Sequence, residues 1–247
     1  MKAVILAAGK GTRMGALTSD IPKPMIQVAG KPVIEHIIRR ILDSGIREFV
    51  VVTRYLGNKI EEYLRDGSKL GASIEYVEQS DKYGTGAALL EAREQVANEP
   101  VLMTFADIIT PAFNYSGALK TFQDTGGAAV ITLNWVDDPY AGGAVDVGED
   151  GLVRRITEKP PKGRVLSHWN SSGIFVFDPV VFEYLARLAP SARGEYELPD
   201  AGSAMIDDGL AVHPYYLRGP WIDVGTPQDV TDAEKMLLED GFDDPDR

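Results

Sequence analysis

The chain has 247 residues, of which 44% are hydrophobic, and its net charge is −12. This content is sufficient for one α/β domain, which we expect to span residues 1–247. The absence of cysteine excludes disulfides and thiolate metal ligands, and the acidic balance argues against nucleic acid or an anionic membrane as a partner. Because no signal-peptide pattern and no long apolar run is present, we expect a cytoplasmic protein.

Short apolar runs alternate with segments of helical spacing along the chain. The predicted strands are Ala3–Ala8, Phe49–Thr53, Ile74–Glu78, Val101–Ala106 and Ala128–Asn134, followed by shorter runs at 144–147, 152–156 and 173–177. Helices are predicted at 33–42, 60–64, 87–96 and 115–122. This order predicts an α/β protein with a mixed, mostly parallel sheet, whose second half is more antiparallel.

The most informative segment follows the first predicted strand, where Leu-Ala-Ala-Gly-Lys-Gly-Thr-Arg-Met occupies positions 6–14. Gly9 and Gly11 give a sharp turn without side chains, so backbone N–H groups can approach phosphate oxygens. Arg13 and Lys23 add the two kinds of cation that suit phosphoryl oxygens. Met14 stands where a dinucleotide fingerprint needs glycine and where a P-loop needs its Gly-Lys-Ser/Thr, which excludes both motifs.

Together with Pro-Lys-Pro-Met at 22–25, this segment resembles the signature of the sugar-1-phosphate nucleotidyltransferases. The resemblance covers nearly the whole chain. It implies a Rossmann-like three-layer αβα sandwich of the GT-A-like nucleotidyltransferase type, without a β-helix domain. It also implies a nucleoside triphosphate and a sugar 1-phosphate as partners and Mg²⁺ as cofactor. The residues that it assigns to the nucleotide are Leu6, Ala8, Gly9, Gly11, Thr12, Arg13, Gln79, Gly84, Thr85 and Asp107.

Two carboxylates are assigned to the metal by this resemblance. Asp107 follows the strand predicted at 101–106, where the family has its metal-binding Asp, although the usual preceding glycine is Ala106 here. Asp223 lies in Trp-Ile-Asp-Val-Gly-Thr-Pro at 221–227, which resembles the family's closing W-x-D-x-G-T-P motif. A Mg²⁺ ion prefers oxygen ligands from carboxylates and substrate phosphates, so the pair suits it.

The base of the nucleotide is assigned to Gln79, Gly84 and Thr85. Family members that use uridine or thymidine triphosphates carry a Gln five residues before the glycine of a Gly-Thr pair, and these three residues reproduce that spacing. An amide offers both a donor and an acceptor to the edge of a pyrimidine. The resemblance therefore favours UTP or dTTP and leaves the choice between them open.

The acceptor is assigned to a second group of residues. Glu158-Lys159-Pro160 resembles the family's E-K-P element, in which Glu contacts sugar hydroxyls and Lys the sugar phosphate. Asn170 resembles the Asn that precedes a strand in the N-x-G-I-Y-V-F pattern. Here either one additional serine stands before the glycine, or Ser171 and Ser172 replace a more usual pair. Gly143 is expected to give a backbone contact, and Arg193 to reach a phosphate or to form a surface ion pair.

The implied mechanism is direct attack of a sugar phosphate oxygen on the α-phosphorus, with no covalent enzyme intermediate. The predicted catalytic residues are Arg13 for the β- and γ-phosphates, Lys23 for the α-phosphate and Lys159 for the attacking phosphate. Two alternatives remain: activation of phosphocholine or aminoethylphosphonate with CTP, and a nucleotide-sensing subunit without turnover. A sensor would be expected to lose Asp107, Asp223 or Lys23, and all three are present.

The last twenty residues carry half of the net charge. Residues 228–247 contain eight acidic residues against Lys235 and Arg247, and we predict an exposed acidic helix with a loose end and no chemical role. Assembly as a homo-oligomer is common in the family, and the sequence does not show an interface.

Overall fold

A computed structural model describes residues 1–140, 142–163, 167–239 and 242–243 of the protein. Its main feature is a nine-stranded sheet with the order β10-β9-β11-β6-β1-β4-β5, in which β8 lies along the other edge of β11 and β12 lies beyond β8. Two further two-stranded sheets join β13 to β7 and β2 to β3. In chain order the described strands are β1 (Lys2–Ala7), β2 (Gln27–Val28), β3 (Lys31–Pro32), β4 (Glu48–Thr53), β5 (Ser73–Glu78), β6 (Val101–Phe105), β7 (Ile108–Ile109), β8 (Ala129–Trp135), β9 (Gly143–Val147), β10 (Val153–Glu158), β11 (Trp169–Phe177), β12 (Val212–Tyr216) and β13 (Ile222–Asp223).

The helices cover both faces of this sheet. They are α1 (Val33–Asp43), α2 (Gly57–Leu64), α3 (Thr85–Glu91), α4 (Arg93–Val96), α5 (Ala112–Thr125), α6 (Val181–Leu185), α7 (Leu198–Asp207) and α8 (Pro227–Leu238). One apolar core lies between the sheet and α1, α2, α5 and α8, and a second lies between the sheet and α3, α4, α6 and α7. The predicted three-layer αβα sandwich with a mixed, mostly parallel sheet is therefore confirmed. None of the described helices is long and apolar enough to cross a membrane.

Strands β1, β4 and β6 are parallel neighbours at the centre of the sheet. Ala3, Val4 and Ile5 of β1 are fully buried, as expected for a strand that is covered by helices on both faces. Since the carboxyl ends of parallel strands meet at one edge, the segments that follow β1, β4 and β6 lie together there. That edge carries the candidate site.

The helix predicted at 87–96 is interrupted in the structure. Helix α3 ends at Glu91 and α4 begins at Arg93, because Ala92 has φ −79° and ψ −1° and closes the first helix. After α4, Ala97 adopts a left-handed conformation with φ 56°. Helical spacing of apolar residues does not reveal such a break, since Leu89 before it, Ala92 at it and Val96 after it are all buried.

The C-terminal segment begins as predicted and then departs from the expectation. Helix α8 is exposed for most of its length and starts with a capping box between Thr226 and Asp229. The structure differs from the predicted loose end at Phe242 and Asp243. Phe242 is buried under the guanidinium of Arg40, which lies 4.8 Å from its ring centroid. The Asp243 carboxylate accepts a hydrogen bond from the N–H of Ala112 at the start of α5.

Phe242 is therefore expected to stabilise the fold, which we test with Phe242→Ala. The substitution should lower the free energy of unfolding by about 3 kcal/mol, since it leaves a cavity and removes the ring that faces Arg40. Leu238, whose exposed fraction is 71%, provides the matched control, and Leu238→Ala should change stability little. Urea unfolding followed by tryptophan fluorescence measures both variants. Equal midpoints for the two variants would show that the segment is not anchored.

Candidate active site

Two aspartates converge at the carboxyl edge of the sheet, although 116 positions separate them in the chain. Asp107 lies in the turn between β6 and β7, and Asp223 is the last residue of β13. The antiparallel pairing of β13 with β7 places Asp223 opposite Ile108. The N–H of Val224 also donates to the Asp107 carbonyl oxygen at 2.9 Å. Backbone pairing, rather than local sequence, brings the two carboxylates together.

The ammonium of Lys23 lies between these carboxylates. Its Nζ is 2.5 Å from Asp107 Oδ2 and 3.2 Å from Asp223 Oδ1, and its side chain is 11% exposed. Arg13 adds a second positive charge, with Nη2 3.6 Å from Asp223 Oδ2. The predicted residues Arg13, Lys23, Asp107 and Asp223 therefore form one cluster in the structure.

The surroundings shift the pKa of both central partners. Burial raises the pKa of Asp107, and the negative charge of Asp223 adds to this, while Lys23 opposes it. Burial opposes the charge of Lys23, but the two carboxylates outweigh it and raise the pKa of Lys23. Lys23 is therefore a cation at neutral pH, and the carboxylates compete for it.

The donor set fits a divalent cation. Two carboxylates point at one position, and a positive charge already occupies it in the form of the Lys23 ammonium. Among the described residues no group of three or more His, Cys, Asp or Glu side chains surrounds a common point. A hard cation here would thus take two protein oxygens and fill its other positions with substrate phosphate and water, as Mg²⁺ commonly does.

The glycine-rich loop after β1 is folded against Lys23. Gly11 has φ 62°, and a Cβ at this position would lie 2.9 Å from the Cβ of Lys23. Leu6 and Ala8 are buried at the start of the loop, whereas Gly9 has no other atom within 4 Å of where its Cβ would be. Thr12 is exposed on the loop. The loop thus places the Gly11 backbone against the side-chain stem of Lys23.

Arg13 lies beside the W-x-D-x-G-T-P motif. A Cβ on Gly225 would be 3.1 Å from Arg13 Nη2, so the glycine of this motif leaves the space that the guanidinium uses. The Arg13 side chain is 67% exposed and can reach a ligand above the loop. The glycine-rich loop and the W-x-D-x-G-T-P motif, at opposite ends of the chain, therefore form one wall of the candidate site.

Two residues that sequence reasoning missed fasten this loop. The buried Thr18 hydroxyl is 3.0 Å from the Gly11 carbonyl oxygen and 3.3 Å from that of Gly15. The Tyr55 hydroxyl, after β4, lies 3.2 Å from the Thr18 carbonyl oxygen. Thr18 thus links two carbonyl groups of the loop, and Tyr55 links the loop to the segment that follows β4. No spacing in the sequence pairs Thr18 with Tyr55, and so neither was predicted.

Gln79, Gly84 and Thr85 lie together after β5. The buried Gln79 donates from Nε2 to the carbonyl oxygens of Lys82 at 3.0 Å and Gly84 at 3.2 Å, which shapes the loop between them. The Thr85 hydroxyl accepts a hydrogen bond from the N–H of Leu198 at 3.1 Å. The structure therefore gives the Thr85 hydroxyl a partner within the protein.

Two of the predicted acceptor residues, Glu158 and Lys159, lie at the end of β10. Glu158 pairs with Gly143 of β9, and a Cβ on Gly143 would be 3.3 Å from Glu158 Oε2, so this glycine leaves the carboxylate room. Burial raises the pKa of Glu158. Lys159 is exposed in a left-handed conformation with φ 42°, and its N–H donates to the Gly142 carbonyl oxygen.

Arg193 reaches the same region from the segment before α7. Its Nη2 is 2.7 Å from Oε1 of the buried Glu197 and 3.8 Å from Glu158 Oε1. The hydrogen bond to Glu197 raises the pKa of Arg193. A cavity of about 680 Å³ opens here between β10 and α7. Its polar and charged lining is Arg154, Arg155, Thr157, Glu158, Lys159, Ser191, Arg193, Glu197, Asp200, Ser203 and Asp207.

Asn170 lies next to Gly142, since a Cβ on that glycine would be 2.8 Å from Asn170 Nδ2. It lies inside β11, not before it, and pairs with Asn134 of β8 and Ala144 of β9. Since neighbouring residues of a strand point to opposite faces, Ser171 shares the face of Gly143, and its Cβ is 3.7 Å from where a Gly143 Cβ would be. The Asn170 Oδ1 is buried without a hydrogen-bond partner among the described residues.

The sequence matches a family model and several known proteins. A family model described as nucleotidyl transferase matches residues 2–240. A bifunctional protein GlmU of Methanococcus maripaludis strain S2 is 37% identical over 242 residues, which are 96% of this chain and 54% of that protein. A glucose-1-phosphate thymidylyltransferase of Streptomyces antibioticus is 31% identical over 241 residues, 97% of this chain and 67% of the relative. The chain spans about half the length of several of the curated relatives that it matches.

Solved structures give the same result for the fold. A Bacillus anthracis protein, described as a candidate glucose-1-phosphate thymidylyltransferase and solved with a sucrose, superposes with a TM-score of 0.87 at 27% identity, over 97% of this chain and 96% of that one. A UDP-glucose pyrophosphorylase solved with UDP-glucose has a TM-score of 0.87 at 21% identity, over 96% and 97%. The fold is thus the one that these solved structures share. The chain belongs to the nucleotidyl transferase family.

Proposed function

We propose that this chain transfers a nucleotidyl group from a nucleoside triphosphate to a sugar 1-phosphate and releases pyrophosphate. The convergence of Asp107 and Asp223 on Lys23, beside the glycine-rich loop, is the observation that carries this proposal. A nucleotide sensor has no need for two carboxylates that compete for one cation. The same arrangement suits a site where several phosphate charges are brought together and neutralised.

The reaction requires two anions to approach each other. At 4 Å each pair of unit charges contributes about 4 kcal/mol at an effective dielectric of 20, so several such pairs would prevent the encounter without neutralisation. In our proposal Arg13 stabilises the β- and γ-phosphates, Lys23 the α-phosphate and Lys159 the incoming phosphate. Catalysis is then positioning and charge stabilisation, and the acceptor phosphate itself is the nucleophile.

Asp107 and Asp223 would hold Mg²⁺ in this proposal. When bound, the ion would neutralise phosphate charge and orient the oxygens around the α-phosphorus. Lys23 would then exchange its contact with the carboxylates for one with phosphate, which the flexible stem of a lysine permits.

Gln79 supports a preference for UTP or dTTP. Its Nε2 already donates to two carbonyl oxygens of its own loop, which leaves Oε1 as the group available for a base. An acceptor at this position suits the N3–H of uracil or thymine. Cytosine has an acceptor at N3 and would meet the Gln79 oxygen unfavourably.

The lining of the cavity next to Glu158 supports a sugar phosphate as acceptor. It combines four basic with four acidic side chains and several hydroxyls, which together offer donors and acceptors to a polyhydroxyl compound. Among the described residues that line it there is no aromatic ring. Phosphocholine would be expected to require aromatic faces around its quaternary ammonium, so this acceptor is disfavoured.

A substrate matrix tests the proposed function. ATP, GTP, CTP, UTP and dTTP are each combined with phosphocholine, glucose 1-phosphate and its 2-acetamido analogue, and pyrophosphate release is measured. We expect UTP or dTTP with a sugar phosphate to exceed CTP with either sugar by about 100-fold or more, equivalent to about 3 kcal/mol for an unpaired polar group. Release only with CTP and phosphocholine would overturn the proposed substrates. Nucleotide binding without release for any pair would favour a sensor.

A further inference from the structure

The loop that recognises the base is joined by backbone hydrogen bonds to the segment that carries Arg193. We call residues 80–86 the base loop and residues 191–198 the acceptor segment. The Tyr196 N–H donates to the Tyr83 carbonyl oxygen, and the Gly86 N–H donates to the Tyr196 carbonyl oxygen, both at 2.8 Å. These two bonds give the base loop and the acceptor segment a fixed register.

Two glycines allow this close approach. A Cβ on Gly84 would lie 2.4 Å from the Tyr196 carbonyl oxygen. Gly84 also has φ 128°, a backbone angle that residues with a side chain rarely adopt. A Cβ on Gly86 would lie 3.0 Å from the same oxygen. The base loop therefore packs its backbone directly on the acceptor segment, with no space for side chains between them.

Thr85 completes the junction with its side chain. Its hydroxyl accepts from the N–H of Leu198, the first residue of α7, while the N-cap residue Glu197 makes no side-chain cap of its own. The orphan N–H at the start of α7 is thus satisfied from another element. The start of α7 depends on the position of the base loop.

The acceptor segment connects the start of α7 to Arg193. Glu197 is buried and receives hydrogen bonds from Arg193 Nη2 at 2.7 Å and from the Ser191 hydroxyl at 3.1 Å. Arg193 in turn lies 3.8 Å from Glu158. Gln79 bonds to Gly84, which precedes Thr85 in the chain, and Thr85 bonds to Leu198, which follows Glu197. Arg193 then connects Glu197 to Glu158.

We propose that Thr85 is a positioning residue that couples the nucleotide subsite to the acceptor subsite through the acceptor segment. Nucleotide binding on the base loop fixes the start of α7 and with it the pair of Glu197 and Arg193 beside Glu158. This inference rests on the proposed function, since it assigns the two subsites to the two substrates. The coupling is reciprocal, so the acceptor should also favour nucleotide binding.

Thr85→Val tests this role because it keeps the shape of the side chain and removes the hydrogen-bond acceptor. We expect the KM for the better of glucose 1-phosphate and its 2-acetamido analogue to rise about five- to tenfold, in line with the loss of one hydrogen bond. The acceptor KM should rise more than the Kd of UTP measured without acceptor, and Thr85→Ser should restore the KM. An equal rise of both constants, or no rise, would overturn the coupling.

A double-mutant cycle extends the test to the other end of the contacts. Glu197→Gln removes the carboxylate that holds Arg193 and should also raise the acceptor KM. The effects of Thr85→Val and Glu197→Gln should be less than additive, because both act on one chain of contacts. Fully additive effects would overturn the proposal.

Hydrogen exchange separates failure of the coupling from failure of the proposed function. Saturating UTP should slow amide exchange of residues 191–198 at least threefold in the wild-type protein and not in Thr85→Val. If the wild-type protein releases no pyrophosphate but shows this protection, the proposed function fails and the coupling stands. If pyrophosphate is released and UTP gives no protection, the coupling is wrong. Where Thr85→Val does not fold, the wild-type exchange and the Glu197→Gln kinetics decide.

Discussion

Asp107→Asn is expected to lower kcat/KM about 1,000-fold, which corresponds to about 4 kcal/mol of lost charge stabilisation. The substitution keeps the size of the side chain and leaves the backbone bond from the Val224 N–H to the Asp107 carbonyl oxygen intact. It removes one of the two negative charges that face Lys23. Pyrophosphate release at varied Mg²⁺ concentration measures the effect.

Three companion measurements make this result interpretable. Asp223→Asn should have an effect of similar size, and the double variant should lose less than the sum of the two, because the carboxylates act as a unit. Binding of Mn²⁺ in the presence of UTP, followed by electron paramagnetic resonance, should weaken in each variant. Asp124→Asn, on the exposed face of α5, is the control and should match the wild-type protein. An Asp107→Asn variant that keeps more than a tenth of the activity would contradict the role.

The sheet was predictable because its central strands are mostly apolar. Strands β1, β4 and β6 are largely buried and appear in the sequence as runs of apolar residues, with Thr53 and Thr104 as buried polar exceptions. Their predicted limits differ from the observed limits by one residue at each end or less. The break at Ala92 was not predictable, because it changes only the backbone angles of a residue that helical spacing also places in the core.

The site depended on resemblance more than on local pattern. Nothing near Asp107 indicates Asp223, since the pairing of β7 with β13 that unites them links segments more than one hundred residues apart. The bridging position of Lys23 was also not expected, because the sequence assigned it to phosphate alone. Resemblance identified the members of the cluster, and the fold supplied their arrangement.

The structural surroundings of the acceptor residues were less predictable than those of the nucleotide residues. Asn170 was assigned by resemblance to a pattern in which the Asn precedes a strand, whereas here it lies inside β11 and pairs with Asn134 of β8. The register of β11 against β8 shifts between Ser171 and Phe175, and no propensity scale predicts such an irregularity. Glu197 was missed because its role comes from burial next to Arg193, which the sequence does not show.

Lys23→Met is expected to lower kcat about 100- to 1,000-fold, since it removes a cation from the site of phosphate transfer. It should also lower the free energy of unfolding by about 3 kcal/mol in the absence of divalent metal. The reason is that Asp107 and Asp223 remain together, partly buried, without the ammonium that lies 2.5 and 3.2 Å from them. Methionine retains the apolar stem and so limits the effect to the charge.

Mg²⁺ in the absence of nucleotide then separates the two roles of the lysine. If Lys23 occupies the position of the metal in the free protein, Mg²⁺ should raise the Tm of Lys23→Met more than that of the wild-type protein, because the carboxylates no longer have a competing cation. Lys31→Met, at an exposed position of β3, should respond as the wild-type protein does. Equal Tm shifts in all three proteins would show that Lys23 and the metal do not compete, and Lys23 would then serve phosphate binding alone.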